Sequence, residues 1–217
     1  MKNQEITLSN TLNVVYDSAI DAETKARMQE VANVLDLKLQ ENNKAQEGLT
    51  NIFVGVKGTK DIASSYIEAN YPQNEDLYQK IDAYYLNVNK NNEIVVLGKD
   101  SDAAFYGITT LYHVFQQVKN NQVRTFTVKD YANVASRGFI EGYYGNPWST
   151  QDRINLMTWS GYYKLNSYFY APKDDPKHNS KWRELYSDEE IETKIKPLAQ
   201  AGNESNVVCF CIASVYE

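Results

Sequence analysis

The chain has little of several things, and each shortage excludes something. Only two of its 217 residues are cysteine, Cys209 and Cys211, both near the end. Two thiols are too few for a disulfide framework, and no histidine lies beside them to complete a metal site, so they read as core thiols sharing one strand face. Histidine itself occurs twice, at 113 and 178. His113 falls mid-helix between aromatics and reads as a packed or half-exposed side chain. No run approaches the roughly 18 apolar residues of a membrane span. Residues 1–9 are polar, with no apolar core of a signal peptide. Positive charge is also in short supply. Lysine and arginine total 22 against 28 acids, a net charge of −6, which argues against a nucleic-acid partner.

What the chain has in quantity is tyrosine, 17 residues, with three tryptophans. A tyrosine ring stacks on sugar C–H faces while its hydroxyl hydrogen-bonds, although many tyrosines serve strands and cores. Composition alone therefore adds only a little weight to carbohydrate binding.

Residues 1–135 read as an α+β domain with its long helices on one face of a small sheet. Strands are expected at 11–17, 51–56, 84–88, 93–97 and 122–129. Asn89 to Asn92 joins the third and fourth as a hairpin. Asp21 caps a helix expected to run to about Gln40, with Met28, Val31, Leu35 and Leu39 on one face. A shorter helix spans 61–69 and stops at Tyr71-Pro72. Ser101 caps a helix with Phe105, Ile108, Tyr112 and Phe115 in register, and Gly107 inside it permits close helix–sheet packing. Residues 130–136 form a stiff connector lacking proline and glycine.

Residues 136–217 have another rhythm. A short strand at 138–141 runs into Glu141-Gly142-Tyr143-Tyr144-Gly145-Asn146-Pro147-Trp148, and a helix starts near Ser149. A second strand at 166–171 ends in Pro172-Lys173-Asp174-Asp175-Pro176. Ser187 to Glu190 opens another helix, with its acids at the positive end of the dipole, and 207–215 reads as a third strand. This is the alternation of a (β/α) barrel, whose chemistry lies at the carboxyl ends of its strands. The glycines after the first strand let backbone approach a ligand and the aromatics offer stacking faces. A tight loop with aromatic core residues reads equally well. Asp174 and Asp175 resemble a glycosidase carboxylate pair. Bracketed by prolines and near Lys173, His178, Lys181 and Arg183, they read instead as a salt-bridged loop.

RGFIEGYYGNPWSTQDR together with NSYFYAPKDDPKHNSKWRE resembles the start of the catalytic domain of glycoside hydrolase family 84, the O-GlcNAcase and hyaluronidase type, and is closest in wording to its secreted hyaluronidases. The helix DAAFYGITTLYHVF is similar to part of the hexosaminidase-like domain that precedes the barrel there. The resemblance implies a (β/α)8 TIM barrel begun but not completed within 136–217. It also implies substrate-assisted retention, in which the sugar's own 2-acetamido group attacks C1 and two neighbouring aspartates orient it and shuttle the proton.

By the same resemblance Gly142 contacts sugar hydroxyls through its backbone, Tyr144 lines the pocket and Lys173 hydrogen-bonds the sugar. Asp174, Asp175 and Trp182 shape the loop. The catalytic Asp pair follows the fourth barrel strand, beyond Glu217, so no residue of this chain is assigned to catalysis and the chain by itself is expected to be inactive. No cofactor or metal is implied. The resemblance further implies a glycan substrate containing N-acetylglucosamine and an extracellular setting. Asn206 to Glu217 departs from the family's wording, which suggests a truncated or frame-altered chain. The alternative from another functional class is a non-catalytic carbohydrate-binding or interaction domain.

Overall fold

The structure is a computed structural model that describes residues 4–72, 74–141, 148–172, 175–178 and 180–211. The backbone falls into two compact units, Met1–Ala135 and Ser136–Glu217.

The first unit is built on a six-stranded sheet. Its strands are β2 (Thr11–Tyr16), β3 (Lys38–Glu41), β4 (Thr50–Val56), β5 (Ile81–Asn89), β6 (Glu93–Gly98) and β8 (Phe126–Ala132). Their spatial order is β3-β2-β4-β6-β5-β8. The first four are parallel neighbours, and β5 runs antiparallel to both β6 and β8. A separate antiparallel pair joins β1 (Glu5–Thr7) to β7 (Gln122–Arg124).

Side-chain alternation sends two apolar sets to opposite faces of the sheet. Leu12, Val14, Ile52, Val54, Leu86 and Val96 pack with α1 (Ala22–Asn33) and α4 (Ser101–Phe115). Val15, Phe53, Tyr85, Val95 and Leu97 pack with α2 (Ile62–Asn70) and α3 (Glu75–Tyr78). This corrects the expectation of helices on one face. The two long helices do share a face, but α2 and the unforeseen one-turn α3 cover the other. A parallel strand buried on both sides needs both covers, and the all-buried pattern of β4 is its mark.

Helix α1 also ends earlier than its periodicity implies. Asp36 turns the chain at φ +53°, the Leu37 amide closes back on the Ala32 carbonyl at 3.0 Å, and Lys38–Glu41 pairs in parallel with Thr11–Val14 as an edge strand. The apolar spacing of Leu35 and Leu39 survives because both still pack on the same core. At α4 the cap is Asp100, whose carboxylate accepts the Ala103 amide at 2.8 Å. Residues 122–129 form two strands with different partners, and Asp130 to Ala132, expected in a connector, belong to β8.

Gly107 has the expected role. A Cβ there would lie 2.7 Å from Val96 Cγ1 and 3.1 Å from Tyr84 Cδ2. Alanine would gain about 1 kcal/mol of helix propensity and lose about 1–3 kcal/mol to overpacking. Gly107→Ala is therefore expected to lower stability by about 1 kcal/mol in urea unfolding, and a gain would mean α4 can back away from β6.

One buried carboxylate ties the parallel strands to a helix. Asp17, 1% exposed, follows β2. It accepts the Val56 amide at 3.0 Å, the Thr59 hydroxyl at 2.9 Å, and the Ala63 and Ser64 amides at 2.9 and 3.1 Å. The end of β4 and the first turn of α2 are thereby fixed to the end of β2.

The second unit is a parallel β-α-β-α-β run. β9 (Gly138–Ile140), β10 (Ser167–Tyr170) and β11 (Val208–Cys211) lie in the order β11-β10-β9. α5 (Thr150–Tyr162) connects the first two strands. The second connection holds α6 (Asp188–Glu190), a π-helical turn (Ile191–Ile195) and α7 (Lys196–Glu204). Both helices start where expected, and each start carries a capping box, Ser149 with Asp152 and Ser187 with Glu190. Phe139, Tyr168, Tyr170, Val207 and Cys209 pack with Met157 of α5 and with Leu198 and Ala201 of α7. On the other face Ile140, Val208 and Phe210 are 71%, 57% and 44% exposed, and Phe210 stacks on Phe169 at 4.6 Å. Among the described residues no helix is long and apolar enough to cross a membrane.

Candidate functional site

The carboxyl ends of β9 and β10 carry the polar chemistry of the second unit. Glu141, 1% exposed, follows β9, and its amide donates to the Phe169 carbonyl at 3.0 Å. Arg153, 8% exposed, comes from the first turn of α5. The pair is bidentate. Arg153 Nε donates to Glu141 Oε2 at 2.9 Å and Nη2 to Oε1 at 2.7 Å. The Tyr168 hydroxyl adds a short hydrogen bond to Oε2. Burial pushes the Tyr168 hydroxyl's pKa far up, and the Glu141 carboxylate it serves pushes it further. Burial also disfavours the Arg153 charge, but the Glu141 carboxylate outweighs it and raises the guanidinium above its usual range. Both carboxylate oxygens of Glu141 are thus engaged by donors, which suits an anchor.

The same guanidinium lies over the Tyr170 ring, 5.1 Å from its centre. The Tyr170 hydroxyl donates to Asp175 Oδ2 at 3.1 Å, Tyr186 donates to the same oxygen at 2.8 Å, and the Lys177 amide donates to Oδ1 at 2.9 Å. The His178 ring stands edge-on to Tyr170 at 5.3 Å. Burial works to raise the Asp175 pKa, but the hydrogen bonds from Tyr186, the Lys177 amide and Tyr170 overcome it and hold the group below the ordinary carboxylate range. Asp175 stays ionised and holds the turn together. Lys181 pairs with Glu184 at 3.3 Å and Arg183 stacks on Trp182 at 3.9 Å. The expected salt-bridged loop is therefore, at Asp175, a loop pinned by tyrosine hydroxyls and an amide. A cleft of about 450 Å³ opens here between Trp148, Thr150, Arg153, Tyr170, Asp175 and Lys181.

Lys177 secures the far end of this segment. Its ammonium bonds the Leu185 carbonyl at 2.7 Å and the Glu190 carboxylate. That lysine first, and the Ser187 amide second, pull the Glu190 pKa down to about 2. A carboxyl depressed in the folded state contributes stability above its unfolded value of about 4.3 and loses it as pH falls towards 2. Protection of the amides over 188–204, measured against their intrinsic exchange rates at each pH, is expected to fall between pH 4.5 and 2 and to stay flat from pH 7 to 5. A flat profile through pH 2.5 would contradict the pairing.

Gly142, Tyr144 and Lys173, the residues assigned to the sugar, lie outside the described residues, as does Asp174. Sequence reasoning passed over Glu141, Arg153, Tyr168 and Tyr170 as a group. Their signal was present. Glu141 is a charge ending an apolar strand, Arg153 sits one turn before buried Met157, and Tyr168 and Tyr170 share a strand face. Among the described residues no group of three His, Cys, Asp or Glu side chains is arranged to hold a metal.

Residues 137–214 match the family model described as beta-N-acetylglucosaminidase, and residues 1–131 match glycosyl hydrolase family 20, domain 2. The first match runs through 206–214, correcting the view that this stretch departs from the family. In the structure Val208–Cys211 pairs in parallel with β10. Protein O-GlcNAcase of Rattus norvegicus and of Mus musculus are each 44% identical to this chain over 70 residues, 32% of this chain and 8% of those proteins. The solved structure of CpGH84D superposes with a TM-score of 0.92 at 38% identity, over 97% of this chain and 35% of that one. CpGH84B gives 0.80 at 28% identity, over 96% and 34%. The chain therefore spans about a third of these solved relatives and under a tenth of the curated ones. The two family models, the O-GlcNAcase likeness and the near-complete superposition on two family 84 structures agree, and this chain belongs to glycoside hydrolase family 84.

Proposed function

We propose that this chain is part of a retaining β-N-acetylglucosaminidase or hyaluronidase that works outside the cell on glycans containing N-acetylglucosamine. In this reading residues 1–135 are a hexosaminidase-like domain and 136–217 open a (β/α)8 barrel. The observation that carries it is the second unit's architecture within the β-N-acetylglucosaminidase match. Three parallel strands carry helices on one face and leave an apolar face, Ile140, Val208 and Phe210, uncovered. The inner wall of a barrel has this form, filled in the closed barrel by side chains from the other strands. An uncovered wall also favours association of the 217-residue chain in solution, and a clean monomer in size-exclusion chromatography would count against the barrel.

Gly142, Tyr144 and Lys173 follow the first two strands, where barrel enzymes hold substrate, and are the residues proposed to bind the sugar. The acid–base aspartate pair belongs after the fourth strand of the family. The chemistry is substrate-assisted, with the acetamido oxygen as nucleophile, and asks for no cofactor. The 217 residues by themselves are expected to show no turnover of a chromogenic β-N-acetylglucosaminide. A chain extended through the family's remaining strands is expected to hydrolyse it, and Lys173→Ala should lower kcat/KM by about 10–100-fold, as for a lost charged hydrogen bond. Turnover by the 217 residues that vanishes with Asp174→Asn or Asp175→Asn would overturn this assignment. Sugar binding without turnover by the extended chain would favour a non-catalytic carbohydrate-binding protein.

A further inference from the structure

The connection from β3 to β4 is unusual for parallel strands. The two lie on either side of β2 and run parallel to it, so the chain must return over a face of the sheet between Glu41 and Thr50. Such returns commonly take a dozen or more residues and a helix. Residues 42–49 make this one without a helix. They bring little apolar anchorage, since Asn43, Lys44, Ala45, Glu47 and Gly48 are exposed.

Side-chain amides hold the stretch instead. Gln40, Asn13 and Asn51 stand level with one another on three neighbouring strands, and Asn13 is fully buried. Asn13 Nδ2 donates to Asn51 Oδ1 at 2.8 Å and to the Lys44 carbonyl at 3.0 Å. Its Oδ1 accepts Asn42 Nδ2 at 2.7 Å and Gln40 Nε2 at 3.4 Å. Asn51 pairs with Gln46 as a backbone would. Its Oδ1 accepts the Gln46 amide at 2.8 Å, and its Nδ2 donates to the Gln46 and Leu49 carbonyls at 3.0 and 3.2 Å. Among the described residues, every hydrogen bond from 43–48 to the strands ends on Asn13 or Asn51. A stretch with few buried apolar contacts belongs to the low-stability end of a fold. The strands beneath it, β2 and β4, are packed on both faces.

We propose that residues 42–49 form a strap that opens and recloses on the Asn13–Asn51 amide pair while the sheet stays folded. The two asparagines are the latch, and the Lys44 carbonyl and the Gln46 peptide are what they hold. Opening bares both amides on the sheet face. It leaves β3 in place, because Leu39 still packs on the core. The strap does not depend on the function proposed above.

The unmodified chain gives the first test. In amide hydrogen exchange read by NMR, Gln46 is expected to exchange about a hundredfold faster than Val54 and Val96. Urea below the unfolding transition should leave that rate nearly unchanged, because little surface is bared on opening. Gln46 exchange that quickens with urea in step with Val54 would mean that the strap leaves only when the sheet unfolds, and would overturn the proposal. Asn13→Leu keeps the side chain's size and removes the latch's polar groups. Trypsin is expected to cut this variant after Lys44 about tenfold faster than the unmodified chain, with β4 and β6 amides still protected in the cut chain. Asn43→Ala, which alters an exposed side chain of the same stretch, should leave the rate as it was. An unchanged rate at Lys44 in Asn13→Leu overturns the latch. Faster cutting spread evenly over the lysines and arginines of the first unit also overturns it, since Asn13 would then serve general stability. If Asn13→Leu does not fold, the urea dependence at Gln46 still decides.

Discussion

Arg153→Met is expected to destabilise the second unit by about 3–5 kcal/mol, because it strands the Glu141 carboxylate in a site where it is 1% exposed. A buried ion pair is weak evidence of net stabilisation, but removing one partner leaves an uncompensated charge, and the desolvation cost then stands alone. Tyr168 still donates to Oε2, and one neutral hydroxyl does not replace a bidentate cation. The double replacement Glu141→Leu with Arg153→Met should recover most of the loss, since apolar residues of similar volume often match or better a buried pair. All three tryptophans, 148, 159 and 182, lie in this unit, so urea unfolding followed by tryptophan fluorescence reads it directly. A single-variant loss below about 1 kcal/mol would mean that water reaches Glu141 readily.

Gly138→Ala is expected to cost at least about 3 kcal/mol, the upper end of overpacking penalties. A Cβ at 138 would lie 1.6 Å from the Ser167 carbonyl oxygen and 2.6 Å from its carbon. These are backbone atoms of the adjacent strand, so no rotamer change relieves the clash. The Arg137 carbonyl already accepts the Asn166 and Ser167 amides at 2.7 and 3.1 Å, which holds the two backbones close. Relief requires β9 to leave β10, taking Glu141 with it. The same fluorescence experiment measures the loss, and a variant of unchanged stability would show that this approach relaxes at little cost.

Much of the architecture was legible from the sequence. The strand cores at 51–56, 84–88 and 93–97 needed only apolar patterning, and the helices after Ser149 and Ser187 begin where they were expected. The failures have local causes. Leu35 and Leu39 kept helical spacing while the backbone turned at Asp36, because a parallel edge strand on the same core presents them to the same cluster. The four residues of α3 are too few for any period to register, although they help to bury the sheet's second face.

At the site, the sequence singled out Asp175 but misjudged its partners. Its donors include Tyr170 and Tyr186, five residues before it and eleven after, and no spacing rule joins them. The Glu141–Arg153 pairing was harder to see, since each residue carries a signal of its own but no spacing rule joins a glutamate to an arginine twelve positions on. Only the return of α5 against the strands makes them neighbours.

The Asp17 contacts bear on what the first unit can recognise. Parallel strands followed by helices whose first turns face the strand ends are the frame on which nucleotide-binding proteins hold phosphate, using free amides at a helix start. Here the start of α2 is already served from within the chain. Asp17 takes the Ala63 and Ser64 amides, and Asp61 takes that of Ile62. The protein's own carboxylate fills the place a phosphate would take, so a mononucleotide competing for it would have to displace a buried anion along with four of its hydrogen bonds.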